Sequence, residues 1–227
     1  CSKPPTGTVR RRPASEYGGK MGLPQAQSQW ISPEDYLAQE EASLPEKSEY
    51  YDGEIVMMTG GTLGHNTIAL NAAVKLRQLL AGSPCRVQIN DVRLHVAAAN
   101  SYFYPDVLVH CGGATASDKG LSEARLVIEV LSPSTSSVDR GRKFRAYRQL
   151  ESLLEYLIVD TEQQQIDVYR RAEAGDWLYH AYNAGELVQL SGIAGSIAVA
   201  DIYADSGVPE QPPLWLVSEP QTNEYRA

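Results

Sequence analysis

Two acids stand where acids are costly. Glu129 lies inside Arg125-Leu126-Val127-Ile128-Glu129-Val130-Leu131-Ser132, and Asp106 follows Pro105 at the mouth of Val107-Leu108-Val109. A short, nearly continuous apolar run rich in β-branched residues reads as a strand buried on both faces. Alternation along it puts Glu129 on the face of Val127 and Leu131. An ionised carboxylate left alone there would cost roughly several kcal/mol or give up its charge. A metal ion, a cation or a polar cleft must compensate it. If the two strands are neighbours, both carboxylates converge on one point. Two hard oxygen ligands, a backbone carbonyl and water are what Mg²⁺ accepts from a protein. Such an ion orients and acidifies a water and offsets charge developing on a phosphate. The plainer readings are an arginine such as Arg125 pairing with Glu129, and a turn hydrogen bond for Asp106.

A helix expected over residues 138–150 supplies cations. Asp139, Lys143 and Tyr147 recur at a spacing of four and share one face, with Arg140 beside them. Arg140, Arg142, Lys143, Arg145 and Arg148 form a basic cluster, a solvated helix face by default and a phosphate-contacting surface otherwise. The formal charge of −8 disfavours a protein that coats nucleic acid, but not an enzyme whose basic residues are local.

The 227 residues, 43% hydrophobic and 21% charged, suit one globular domain with tails. No apolar run approaches the roughly 20 residues of a membrane helix, and no secretory pattern opens the chain. Three cysteines, Cys1, Cys85 and Cys111, without C-x-x-C spacing argue against zinc and against a disulfide framework, and for a reducing cytoplasm. Residues 1–29 read as a disordered or non-native extension, 30–206 as the folded domain and 207–227 as a tail.

Within the domain, Ser32-Pro33-Glu34-Asp35 opens a helix that ends near 43–45. The stretch 50–58 reads as strand, Asp-Gly turn and strand, with Glu54 opening the second. An amphipathic helix covers 64–80, starting beside His65, and strands cover 86–96 and 102–111, joined by a turn at 97–101. After the strand of Glu129, the serine-rich 132–137 segment reads as cap and loop, since no G-x-S-x-G context suggests a nucleophile. Glu155 to Asp160 reads as another buried strand. Segments 165–171, 177–182 and 186–190 form an antiparallel meander, and a short turn or helix follows near 199–203. His95, His110 and His180 stand singly on strands and read as structural. The class is α/β or α+β with a mixed sheet.

Several phrases in this order resemble the PD-(D/E)XK nuclease superfamily, and within it the Uma-type restriction-endonuclease branch. They are Tyr51-Asp52-Gly53-Glu54 followed by His65, then Tyr104-Pro105-Asp106-Val107-Leu108-Val109. Leu126-Val127-Ile128-Glu129-Val130-Leu131-Ser132-Pro133-Ser134 comes next, then Asp139-Arg140 with Lys143 and Tyr147, and Glu155-Tyr156 to Asp160. The resemblance spans about residues 30–205 and implies a restriction-endonuclease-like fold, a mixed central sheet flanked by helices.

It further implies a Mg²⁺- or Mn²⁺-dependent endonuclease acting on DNA, with a homodimer as an expected assembly. Asp106, Glu129 and the Val130 carbonyl would hold the metal. Lys143 would assist catalysis, Glu54 would act as a third acid, and His65, Arg140 and Tyr147 would contact substrate. One departure stands out: the superfamily lysine two residues after the second acid is replaced here by Leu131, so Lys143 must come from the following helix. The rival expectation is a catalytically inactive binding or assembly module of the same fold. A metal-dependent hydrolase of another substrate is a third.

Overall fold

The structure, a computed structural model, describes residues 30–42, 47–58, 60–132 and 139–210. The expected extension at 1–29, the loop residues 133–138 and the tail residues 211–227 lie outside the described residues.

Helix α1 (Pro33–Ala42) starts as the sequence predicts: the Ser32 hydroxyl accepts from the Asp35 amide at 3.1 Å. Strands β1 (Ser48–Tyr51) and β2 (Glu54–Met57) form the expected hairpin, with Asp52 and Gly53 both at positive φ, as a tight primed turn demands. Helix α2 (Leu63–Leu79) is capped by the Thr62 hydroxyl, which accepts from His65 N.

The predicted strand pair 86–96 and 102–111 is found broken in two. The near halves, β3 (Arg86–Ile89) and β6 (Val107–His110), pair in one sheet. The far halves, β4 (Arg93–Val96) and β5 (Ser101–Phe103), pair in another, around a short 3₁₀ turn at Ala97–Ala99. Between the two ladders the register slips by one residue. Asn90 sits at positive φ there, and Pro105, which has no amide hydrogen to give a ladder, stands on the other arm. The long hairpin is thus a corner by which the chain changes sheets.

Strand β7 (Gly120–Leu121) runs parallel to β4 and completes a five-stranded sheet in the order β2-β1-β5-β4-β7. Strand β8 (Leu126–Val130) is buried at every position, between β6 antiparallel and β9 (Glu155–Val159) parallel. With β10 (Gln165–Arg171) and β11 (Trp177–Asn183) the larger sheet reads β11-β10-β9-β8-β6-β3. The expected meander stops at β11. Strand β12 (Leu187–Leu190) leaves the sheet and pairs with β13 (Gly195–Ala198) instead, held there by Glu155, which accepts from the Ser191 and Gly192 amides.

The six-stranded sheet is the centre of the molecule. One face, carrying Val107, Ile128, Val130 and Leu157, packs under α2, the β12–β13 hairpin and the short α4 (Val199–Tyr203). The other, carrying Leu108, Val127, Leu131 and Tyr156, packs against Tyr51, Leu94 and Phe103 of the smaller sheet and against Tyr147. A second sheet therefore forms much of the layer on this side. The predicted helix 138–150 is a π-turn, Asp139–Lys143, running into a single α-turn, α3 (Phe144–Tyr147).

Cys85 and Cys111 are joined by a disulfide, contrary to the expectation of free thiols. They flank β3 and β6 at the next register position beyond Arg86 and His110, so the antiparallel ladder delivers them face to face. At a sequence separation of 26, closure of that loop is expected to add about 2–4 kcal/mol. A reductant should lower the melting temperature of the native chain and leave that of a Cys85→Ser/Cys111→Ser variant unchanged.

Candidate active site

The ladder of β6 and β8 settles where the two acids meet. Val107 pairs with Ile128 and Leu108 with Val127, so Asp106 and Glu129 each lie one residue beyond the last pair of the ladder, at the same end of neighbouring strands. Both line one cleft of about 320 Å³, together with Glu49, Tyr51, His65, Val130 and Lys143. Asp106 Oδ2 accepts from the Val130 amide at 2.7 Å and lies 3.4 Å from His65 Nε2. Both of these contacts fall on the same carboxylate oxygen.

Glu129 is buried on the inter-sheet face with Val127 and Leu131, as alternation requires. Arg125 does not pair with it; the Arg125 guanidinium donates to the Gly192 carbonyl instead. Glu129 Oε1 accepts from the Tyr147 hydroxyl at 2.8 Å and lies 3.2 Å from Lys143 Nζ. Residues four apart across the join between the π-turn and α3 thus reach one carboxylate oxygen. The Tyr147 ring is wedged edge-on against Phe103, with centroids 4.9 Å apart, which fixes where its hydroxyl can go. Burial, then the charges of Glu129 and Glu49, push the Tyr147 phenol well above its ordinary value, so it remains a donor.

The third acid is Glu49, which sequence reasoning missed. Its Oε1 lies 3.1 Å from Lys143 Nζ and accepts from the Tyr104 amide at 3.2 Å, and its Oε2 accepts from the Tyr51 hydroxyl at 2.7 Å. Strand β1 is pinned in turn by α1. Glu40 accepts from the Ser48 amide and hydroxyl, and Tyr36 donates to the Ser48 carbonyl. Glu54, the residue expected in this role, lies outside the cleft lining. It pairs at 2.7 Å with Arg142, whose guanidinium covers the Tyr51 ring. The hairpin register explains the exchange: Glu54 lies opposite Tyr51 and Glu49 opposite Val56. Glu54 is therefore on the right face but about 7 Å too near the turn.

His65 touches the same groups that would hold a cation. Burial pushes its pKa down, but the hydrogen bond and charge of Asp106 and the Val130 carbonyl outweigh this, so the net shift is upward. Gly61 makes room for the ring, since a Cβ there would lie 2.8 Å from His65 Nδ1. Tyr147 serves Glu129 rather than an open surface, and the side chain of Arg140 lies outside the described part of the structure. Among the described residues, no group of three or more His, Cys, Asp or Glu side chains is arranged to hold a metal ion. A cation here would rest on two carboxylates, a backbone carbonyl and water. That donor set suits Mg²⁺ or Mn²⁺, which keep part of their water shell, and does not suit a structural zinc.

The family model described as "Uma2: Putative restriction endonuclease" matches residues 33–200. The chain belongs to this family. It is 38% identical over 174 residues to uncharacterized protein slr1290 of Synechocystis sp. (strain ATCC 27184 / PCC 6803 / Kazusa), covering 76% of this chain and 91% of that relative. It is 33% identical over 147 residues to uncharacterized protein sll1609 of the same strain, covering 63% of this chain and 82% of that one. The fold is similar to the crystal structure of "a putative nuclease belonging to DUF820" from Anabaena variabilis ATCC 29413. The TM-score is 0.62 at 18% identity, over 76% of this chain and 97% of that one. The restriction-endonuclease-like fold expected from the sequence is therefore the fold observed. No helix among the described residues is long and apolar enough to cross a membrane.

Lys143, with its side chain only 9% exposed, is the cation that lets Glu49 and Glu129 stay buried. Lys143→Met should destabilise the fold by about 3–5 kcal/mol in chemical denaturation, because it removes a buried cation from between two buried acids. Adding Glu129→Gln should recover part of the loss. The raised pKa of His65 gives a second test. Its stabilising pairing is fully present below the ordinary histidine value of about 6.5 and is lost as pH rises through the higher folded value. The melting deficit of His65→Gln against the native chain should be largest near about pH 6 and shrink towards about pH 8.

Proposed function

We propose that this Uma2-family chain is a divalent-metal-dependent nuclease that hydrolyses DNA phosphodiester bonds in the cleft between Asp106 and Glu129. The observation that carries this reading is that two acids at the same end of neighbouring strands line one cleft, with a buried lysine reaching the second. The family match supports a nuclease. Asp106, Glu129 and the Val130 carbonyl would hold Mg²⁺ or Mn²⁺, and a bound ion of this kind supplies polarisation of a phosphate oxygen and a more acidic water.

The chain's own residues do the rest. The Val130 amide orients Asp106 through Oδ2, so that carboxylate enters the cleft already placed. Tyr147 and Lys143 orient Glu129 in the same way. Lys143, held between Glu49 and Glu129, keeps its positive charge at the cleft, where it offsets negative charge developing on the phosphate. His65 in its neutral form leaves Asp106 to the cation and can take a proton at Nε2. Arg142, Arg145 and Arg148 recur every three residues on the outer side of the helical segment and are exposed, as contacts to flanking phosphates would require.

A second reading, a nuclease-fold binding or assembly module without catalysis, is favoured by the absence of a three-ligand group among the described residues. One experiment separates the two. Supercoiled plasmid incubated with the native chain and Mg²⁺ or Mn²⁺ should be nicked, and Glu129→Gln, matched in volume, should nick it at least about a hundredfold more slowly while melting as a folded protein. Equal nicking by the variant removes the proposed chemistry. No nicking and no metal-dependent rise in melting temperature leaves the binding module.

A further inference from the structure

The arginines of the helical segment after β8 are not alike. Arg142 shares its charge with Glu54, as Lys47, Lys75, Lys143 and Arg170 share theirs with acids. Arg145 and Arg148 are exposed, and neither pairs with a carboxylate among the described residues. A third guanidinium stands against them. Arg171, the last residue of β10, donates to the carbonyls of Arg148 at 2.8 Å, Leu150 at 2.7 Å and Leu153 at 2.8 Å. These partners are carbonyls and not carboxylates, so the bonds fix the group in place without giving it a counter-charge.

The strand ladder explains how Arg171 is held. Its amide turns toward β9 and donates to the Leu154 carbonyl at 2.8 Å. The Arg171–Trp177 pair across β10 and β11 is therefore not hydrogen-bonded, the kind of pair whose side chains lie closest. The guanidinium carbon lies 4.6 Å from the centre of the Trp177 ring. Trp177 in turn meets Phe144 edge-on at 5.4 Å, and Phe144 follows Lys143 directly in the chain. The contacts thus lead from the buried lysine of the cleft, through Phe144 and Trp177, to Arg171 and Arg148. Glu173 and Asp176, on the turn after β10, are exposed, and among the described residues they pair with none of the three arginines.

In a chain with 28 acids and 20 lysines and arginines, neighbouring guanidiniums without a carboxylate are a place for an outside anion. Resting on the nuclease reading above, we propose that Arg145, Arg148 and Arg171 form an anchoring site for the DNA backbone, apart from the step that is cut. DNA is the occupant these charges fit, because its regularly spaced phosphates meet several guanidiniums at once. Arg171 is already immobilised, so it takes a phosphate without giving up further side-chain freedom. The anchor supplies grip that is independent of base sequence, and the cleft is left to hold the scissile phosphate.

The test uses the full chain carrying Glu129→Gln to suppress cutting, with Mn²⁺ and two labelled duplexes of unrelated sequence. Fluorescence anisotropy over a range of salt reads the affinity and its salt slope. Arg145→Gln combined with Arg148→Gln, both exposed positions, should leave melting unaltered and weaken both duplexes alike, by about tenfold near about 0.1 M salt. The slope of log Kd against log salt should flatten by about two. Adding Arg171→Gln should flatten it by about one more, and the double variant decides by itself if the triple does not fold. Arg77→Gln combined with Arg86→Gln removes the same charge from exposed positions elsewhere and should change neither reading. An unaltered slope in the Arg145/Arg148 variant overturns the proposal, as does an equal loss in the Arg77/Arg86 control. Poly-glutamate bound as tightly as DNA through the same arginines also overturns it, by assigning the surface to an acidic protein chain. Arginine-dependent DNA binding with no cutting by the native chain under any metal spares this inference and sinks the nuclease reading. Cutting with arginine-independent binding does the reverse.

Discussion

The rest of the site depends on one buried ammonium group. Lys143 lies within 3.2 Å of both Glu49 and Glu129, and all three side chains are almost wholly removed from water. Two carboxylates cannot both stay ionised in such a place without a partner. The lysine meets that need, and the hydroxyls of Tyr51 and Tyr147 and the Tyr104 amide satisfy further lone pairs on the two acids. The result is a charged cluster held in fixed geometry by groups that come from both sheets and from the helical segment after β8.

Assembling that cluster is what the sheet corner accomplishes. One hairpin leaves the central sheet, enters the smaller one and returns, slipping its register by one residue as it turns. Asp106 stands at the bend, where its carbonyl accepts from the Asn90 amide and its carboxylate reaches the Val130 amide across the strand gap. A straight hairpin would have continued the ladder past Asp106 and aimed it as any other strand residue. Bulged corners of this kind recur beside functional sites because they re-aim a side chain without disturbing the core. The disulfide between Cys85 and Cys111 closes the opposite end of the same two-stranded ladder.

What the sequence discloses here is what local patterns control. The apolar run around Glu129 and the Pro-Asp step each announce a strand, and their pairing follows once both belong to one sheet. Lys143 and Tyr147 are legible from their spacing of four. Glu49 is not, because its importance lies in which rung of the hairpin faces Val56, and nothing within Ser48-Glu49-Tyr50-Tyr51 marks that rung. The Asp-Gly turn fixes the register, so alternation counted back from it would have put Glu49 and Glu54 on one face, with Glu49 nearer the core. The Cys85–Cys111 pair was hidden by the odd cysteine count, although the two lie near-symmetrically about the predicted turn. The break of each long strand into two was invisible for a different reason: it is a tertiary decision, made by the competition of two sheets for the same hairpin.

The central claim is that Asp106 and Glu129 together grip a divalent cation. Calorimetric titration of the full chain with Mn²⁺ tests it most directly. The account predicts one site per chain, lost in Asp106→Asn and equally in Glu129→Gln while both variants remain folded. Absence of binding in the native chain, or binding that survives either substitution unaltered, would contradict it.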